Sequence, residues 1–159
     1  MRLRTFILAT AVSGLVSCSQ MNEQKYNDTV VNMYTDYSNN MTSKANMLSG
    51  GSTDKVKATE LVNAMQKTTD SCITVMDGLK PSDAARDFHE KVLTVFRTVK
   101  NDFLPSARKL AGMQGSGDVD AYNKLVEEFN NTTSKLDKVE TEAQAAQQVY
   151  VNKIGMKLR

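Results

Sequence analysis

Tryptophan is absent from this chain of 159 residues, proline occurs only twice, and phenylalanine and tyrosine five times each. So few aromatic and turn-forming residues exclude a β-sandwich or barrel, which is built from many short strands joined by turns. No segment alternates β-branched with polar residues across a hairpin turn, so a sheet has no support. An excess of one charge is also missing: 20 Lys and Arg face 18 Asp and Glu, and once Arg2 and Arg4 are set aside the remainder balances. That balance excludes a polycationic nucleic-acid binder held by phosphate neutralisation, and no nucleic acid partner is expected. The only histidine is His89, and Arg86 stands three residues before it, so the Glu-x-x-His pairs of a di-iron bundle are lacking. Cys18 and Cys72 form neither a zinc spacing nor a haem attachment motif. Gly112, Gly115 and Gly117 run into Asp118 and Asp120, whose charge would repel a phosphate, so that cluster reads as a turn. His89 and Glu90 point about 100° apart on a helix and cannot act on one atom unaided. No catalytic residue, metal or cofactor is therefore expected, and the chain does not read as an enzyme.

What is present begins at the N-terminus. Arg2 and Arg4 precede a predominantly apolar, uncharged stretch from Phe6 to Val16, the layout of a secretory signal. Its length of about a dozen residues falls short of the ~20 that span a bilayer as a helix. Leu15-Val16-Ser17-Cys18 follows, with Leu three before the cysteine and a small residue directly before it. These four residues resemble the lipobox of bacterial lipoproteins. The resemblance implies that residues 1–17 are cleaved, that the Cys18 thiol carries a diacylglyceryl group, and that its new amino group is acylated by a chain such as palmitate. Several acyl chains, each buried methylene contributing about 0.8 kcal/mol, would make a lasting membrane anchor. Ser19 in place of Asp implies, by the same resemblance, transfer to the outer membrane, with the face toward which the domain projects left open. Residues 18–22 would then be a lipidated tether and residues 23–159 the folded domain. If Cys18 is consumed, Cys72 is the remaining thiol and no intramolecular disulfide forms. Cys72 lies on an apolar seam and reads as a small core hydrophobe, an intermolecular bridge or reactive thiol being the alternative.

Helix breakers cluster at Gly50-Gly51-Ser52, at Gly78 to Pro81 and at Gly112 to Gly117, dividing the mature chain into four pieces. Tyr26, Val30, Met33, Tyr37, Met41, Ala45 and Leu48 recur at three- and four-residue spacings, which predicts a helix burying one face and leaves Tyr34 outside. Ala58, Val62, Met65, Thr69, Cys72, Met76 and Leu79 alternate strictly by four and three, as in a bundle seam. A third stripe runs through Phe88, Val92, Val95, Phe96, Val99, Phe103 and Leu104 until Pro105, which lacks an amide hydrogen and predicts a kink or stop. The fourth piece carries Tyr122, Val126, Phe129, Thr133, Leu136, Ala143, Ala146, Tyr150 and Ile154 on one side. It opens with Asp118 and Asp120 and closes with Lys153, Lys157 and Arg159, which complements the helix dipole. Ser52-Thr53-Asp54 and Pro81-Ser82-Asp83 offer caps. The expected fold is all-α, an antiparallel up-down four-helix bundle kinked near Pro105. A three-helix body with the Asn- and Thr-rich first helix lying along it, or exchanged with a neighbour in a homodimer, is the alternative. Met33, Met41, Met65 and Met76 fall on or beside these seams and read as core fillers, not copper ligands.

Phe88, Phe96, Phe103-Leu104-Pro105 and a last helix with Glu142, Gln144, Gln148 and Tyr150 before Lys157-Leu158 are similar to the C-terminal half of a family of small helical envelope lipoproteins of unknown function first noticed in spirochaetes. That resemblance implies location and fold and carries no activity. Permanent anchoring without a chemical site suggests a protein that binds or scaffolds another envelope component. Its charge is unevenly spread, +2 over residues 81–112, −4 over 113–148 and +3 over 149–159, which marks the third segment and the tail as candidate surfaces. A solvated face laced with ion pairs accounts for the same pattern. The alternative function is a carrier that holds a lipid-like or aromatic small molecule among Phe96, Val99, Phe103 and Phe129, which needs an apolar cavity.

Overall fold

The computed structural model describes residues 18–49, 54–115 and 117–156, with side chains described from Glu23 onward and not at Ser49. The signal segment with Leu15-Val16-Ser17, the Gly50-Gly51-Ser52 break and the tail residues Lys157, Leu158 and Arg159 lie outside the described residues. Every regular element among the described residues is helical: α1 (Cys18–Ser49), α2 (Lys55–Gly78), α3 (Arg86–Thr98), a π-helical turn (Val99–Phe103), α4 (Leu104–Gly112) and α5 (Val119–Lys153). With α3, the π turn and α4 forming one continuous rod, the fold is an all-α bundle of four helical pieces. The backbone of residues 18–22, expected as a tether, is the first part of α1.

The helix starts follow from local chemistry. The Asp54 carboxylate accepts from the Lys57 amide at 2.8 Å, and Asp118 accepts from the Ala121 amide at 3.0 Å, each satisfying one of the free donors of a first turn. The Ser82 hydroxyl accepts from the Ala85 amide ahead of α3. Between α4 and α5, Gly115 and Gly117 adopt φ values of 77° and 72°, the left-handed region in which a Cβ is strained. Pro105 sits in the first turn of α4, where a missing amide hydrogen costs little. The preceding turn is π-helical, and the Leu104 amide bonds back to the Val99 carbonyl five residues earlier. The wider turn relieves the contact that a proline ring makes with the carbonyl four residues before it.

All six inward positions of α2, Ala58, Val62, Met65, Thr69, Cys72 and Met76, are buried as their spacing predicts. From the third piece, Phe88, Val92, Val95, Phe96, Val99, Phe103 and Leu104 are buried. Each fully buried ring contributes about 1.5–3 kcal/mol relative to exposure. Tyr34, expected outside, is completely buried, while Met33 is only half-buried. The true seam runs Val30, Tyr34, Tyr37, Met41, Ala45, and it admits Tyr34 because Glu140 on α5 receives its hydroxyl. In α5 the inward row below Leu136 continues through Glu140, Ala143, Gln147 and Tyr150, so a carboxylate and an amide occupy positions that an apolar pattern skips.

Exposed ion pairs register the rods. Lys91 meets Glu142, Lys109 meets Glu128 and Lys135 meets Asp102, so partner numbers on α5 fall as those on α3 and α4 rise. Lys100 meets Asp70 and Arg97 meets Asp77 on α2 in the same opposed sense. The positive charge of the third segment is therefore largely spent on its two neighbours, with each exposed pair worth about 0–1 kcal/mol.

Candidate functional site

Two features stand apart from plain apolar packing. The first is a row of polar contacts along the seam of α1 with its neighbours. The Tyr34 hydroxyl donates to Glu140 Oε1 at 2.7 Å, the Tyr37 hydroxyl pairs with Thr69 Oγ1 at 3.1 Å, and Gln147 Nε2 donates to Asn27 Oδ1 at 3.4 Å. The Tyr150 hydroxyl lies 2.7 Å from a Glu23 carboxylate oxygen and 2.8 Å from the Glu23 carbonyl. Burial, the largest cause, and for Tyr34 and Tyr150 a neighbouring carboxylate, hold all three phenols above the usual tyrosine range. Around them Tyr37 meets Phe96 edge-on at 4.8 Å, and Phe88 stacks on Tyr150 at 5.7 Å.

His89 belongs to this row. Its ring is buried and its Nδ1 shares a 2.7 Å hydrogen bond with the Tyr26 hydroxyl, so the imidazole ties α3 to α1. Burial, the largest cause, lowers its pKa and favours the neutral ring, with Glu90 and Asp77 opposing. Cys72 is buried on α2, and burial pushes its thiol up to about 11. A thiol held protonated in this way is a poor nucleophile. Met41, Met65 and Met76 are fully buried core fillers.

The second feature is a partly open apolar cavity of about 230 Å³ where the end of α1, α4 and the start of α5 meet. Phe103 and Phe129 form one wall, their ring centroids 5.1 Å apart at 50°. Ala45, Ala107 and Ala111 leave the space, and Leu48, Leu110 and Val126 complete the apolar lining, with Gln114 and Tyr122 as its polar members. Of the four residues expected to line a pocket, Phe103 and Phe129 do so. Phe96 and Val99 do not: both are fully buried, and Phe96 is clasped between Tyr34 and Tyr37 at 5.9 and 4.8 Å. The cavity lies beyond them because the alanines, which sequence periodicity treats as ordinary core, are the residues that make room.

Cys18 is the first residue of α1, and its side chain lies outside the described part. Among the described residues no group of three or more His, Cys, Asp or Glu is arranged to hold a metal ion, and no helix is long and apolar enough to cross a membrane. Searches with this chain match no family model, no curated protein and no solved structure.

Proposed function

We propose that this chain is a lipid-anchored cell-envelope protein that binds or scaffolds another envelope component and is not an enzyme. The anchor is the acylated Cys18, the membrane is the outer membrane, and the partner is an envelope protein. The observation that supports this reading is the course of α1. One uninterrupted helix joins Cys18 to Ala45 and Leu48 at the cavity, and 27 residues at about 1.5 Å each separate them by about 40 Å. An anchor at one end would hold the other end clear of the lipid surface. Met47, Val56, Val119 and Tyr122, four of six large apolar side chains exposed among the described residues, belong to the helix turns that meet at that far end. Clustered exposed apolar surface is what an interaction site needs. The single imidazole is meanwhile committed to a structural contact with Tyr26.

Cross-linking in intact cells, with wild type and a Cys18→Ser variant grown on an alkyne-tagged fatty acid, tests the reading. Wild type is expected to take up the label, fractionate with the outer membrane and capture one envelope protein, and the variant to lose all three. An unlabelled wild type outside the membrane fraction would refute the anchor, and a labelled one without any partner would refute the scaffold role.

A second reading, a carrier of a small molecule, is favoured by the cavity. Its volume of about 230 Å³ lies below the ~300 Å³ at which sites for drug-sized ligands begin. That size favours a compact aromatic occupant over a lipid-like one.

A further inference from the structure

We infer that the cavity between α1, α4 and α5 is a binding site for a small, uncharged aromatic molecule of one or two fused rings. The inference narrows the carrier reading and rests on it. Size sets the first limit. At interior packing density of about 0.74, a cavity of about 230 Å³ holds a guest of at most roughly 170 Å³, the scale of a phenol or an indole. Enclosed apolar cavities of about 150 Å³ accept benzene-sized guests, which sets the scale of the occupant; a guest here enters through the open side and displaces solvent there.

The walls set the second limit. Phe103 and Phe129, tilted at 50° to one another, both line the cavity, and against such rings an aromatic guest packs offset or edge-on. Ala107 on α4 and Ala45 on α1 supply the room. Away from this end the interior carries the fully buried rings of Tyr34, Phe88, Phe96 and Tyr150.

Charge and polarity set the third. Among the described residues no charged side chain lines the cavity, so a cationic guest would find no counter-ion among them. An adjoining hollow shares Gln114 and Tyr122 with the cavity and contains Asp118, which would repel a carboxylate at the mouth. Tyr122 is 38% exposed, which puts its ring at the boundary between cavity and solvent. Its hydroxyl and the Gln114 amide suit one N–H or O–H of a guest whose remaining surface is apolar.

The full chain in lipid nanodiscs, titrated with indole, provides the test. Because the chain has no tryptophan, indole emission excited at its red edge belongs to the probe alone. Wild type is expected to give a saturable blue shift beyond that of empty discs, and Ala107→Phe to weaken it about tenfold or more while keeping the helical circular dichroism signal. If Ala107→Phe loses helix, Ala45→Leu blocks the same space from the α1 side. The inference is overturned by the absence of a saturable shift, by unchanged binding in the filled variants, or by displacement of indole by palmitate, which would make the site one for acyl chains. Failure here leaves the anchored-scaffold reading standing on its own cross-linking test, and failure of that test with indole bound and blocked by the filled variant leaves the carrier.

Discussion

Raising the pH is expected to unfold this bundle through its buried phenols. Tyr34, Tyr37 and Tyr150 are each no more than 2% exposed, and each hydroxyl is engaged, with Glu140, Thr69 and Glu23 respectively. Burial is the leading reason that their folded-state values rise above the ordinary tyrosine value of about 10. A folded-state value raised above the unfolded one means that the folded chain keeps protons that the unfolded chain has lost. The phenols' contribution to stability is then complete below pH 10 and is lost as the pH climbs beyond it. Each such group contributes a slope of about 1.4 kcal/mol per pH unit, and three together about 4. A domain stability of about 5–15 kcal/mol would be exhausted between roughly pH 11 and pH 14. The half-buried Tyr26, shifted in the same direction by burial, steepens the fall. The assay follows helical circular dichroism and tyrosinate absorbance through one titration, on a Tyr122→Phe background that removes the exposed hydroxyl at the cavity mouth and keeps its ring. The two signals are expected to move together, because these phenols ionise only as the helices part. Tyrosinate absorbance that develops near pH 10 with the helical signal intact would refute the burial argument.

Four further outcomes follow. Tyr34→Phe leaves the buried Glu140 without one donor, at a cost of about 1.5–3 kcal/mol by denaturant titration, and a loss below 0.5 kcal/mol would mean that the contact is not formed. Stability is expected to decline as the pH falls below the ordinary histidine value of 6.5, since His89 has a lowered folded-state pKa, and a His89→Gln variant should flatten that stretch of the pH profile. Asp54→Ala and Asp118→Ala each remove a side-chain cap and are expected to cost about 1 kcal/mol, read as a lower melting temperature. Lys100→Ala breaks an exposed pair with Asp70 and is expected to change stability by less than about 1 kcal/mol in a double-mutant cycle with Asp70→Ala.

How much of this was legible in the sequence depends on which physical signal each residue carries. The α2 seam was readable throughout because every inward residue from Ala58 to Met76 is apolar or small and the spacing alternates without a gap. Caps at Asp54 and Asp118 were readable for a similar reason, since a short carboxylate before an apolar period has a local role. Tyr34 was misplaced outside because Met33 is the more apolar of two adjacent residues, and a periodicity argument scores each residue alone. Glu140 and Gln147 were missed as inward residues for the same reason: burial of a carboxylate or amide depends on a donor or acceptor across the seam, here Tyr34 and Asn27, which lie more than a hundred positions away. The cavity was half legible. Phe103 and Phe129 could be proposed from type and position, but the space beside them is lined by Ala107 and Ala111 on α4 and Ala45 on α1, and no one-dimensional pattern states which alanines coincide.

The location of the polar row has a physical logic of its own. α1 separates apolar from polar residues least sharply around its axis and is rich in Asn and Thr, so apolar area alone defines its angular setting poorly. Every polar contact of the seam, Glu23 with Tyr150, Tyr26 with His89, Asn27 with Gln147, Tyr34 with Glu140 and Tyr37 with Thr69, has one member on α1. A buried polar pair contributes little net stability but carries a large penalty when its partner is misaligned, and its best-attested use is to fix register. Sliding α1 by one turn against α5 would break Glu23–Tyr150, Asn27–Gln147 and Tyr34–Glu140 together. If the pairs do set register, simultaneous Tyr34→Phe and Glu140→Leu should restore much of the stability lost in Tyr34→Phe alone and yet broaden the amide resonances of α1, because an apolar pair fills the seam without choosing an alignment. Sharp resonances with a single set of α1–α5 contacts in that double variant would show that packing alone fixes the helix.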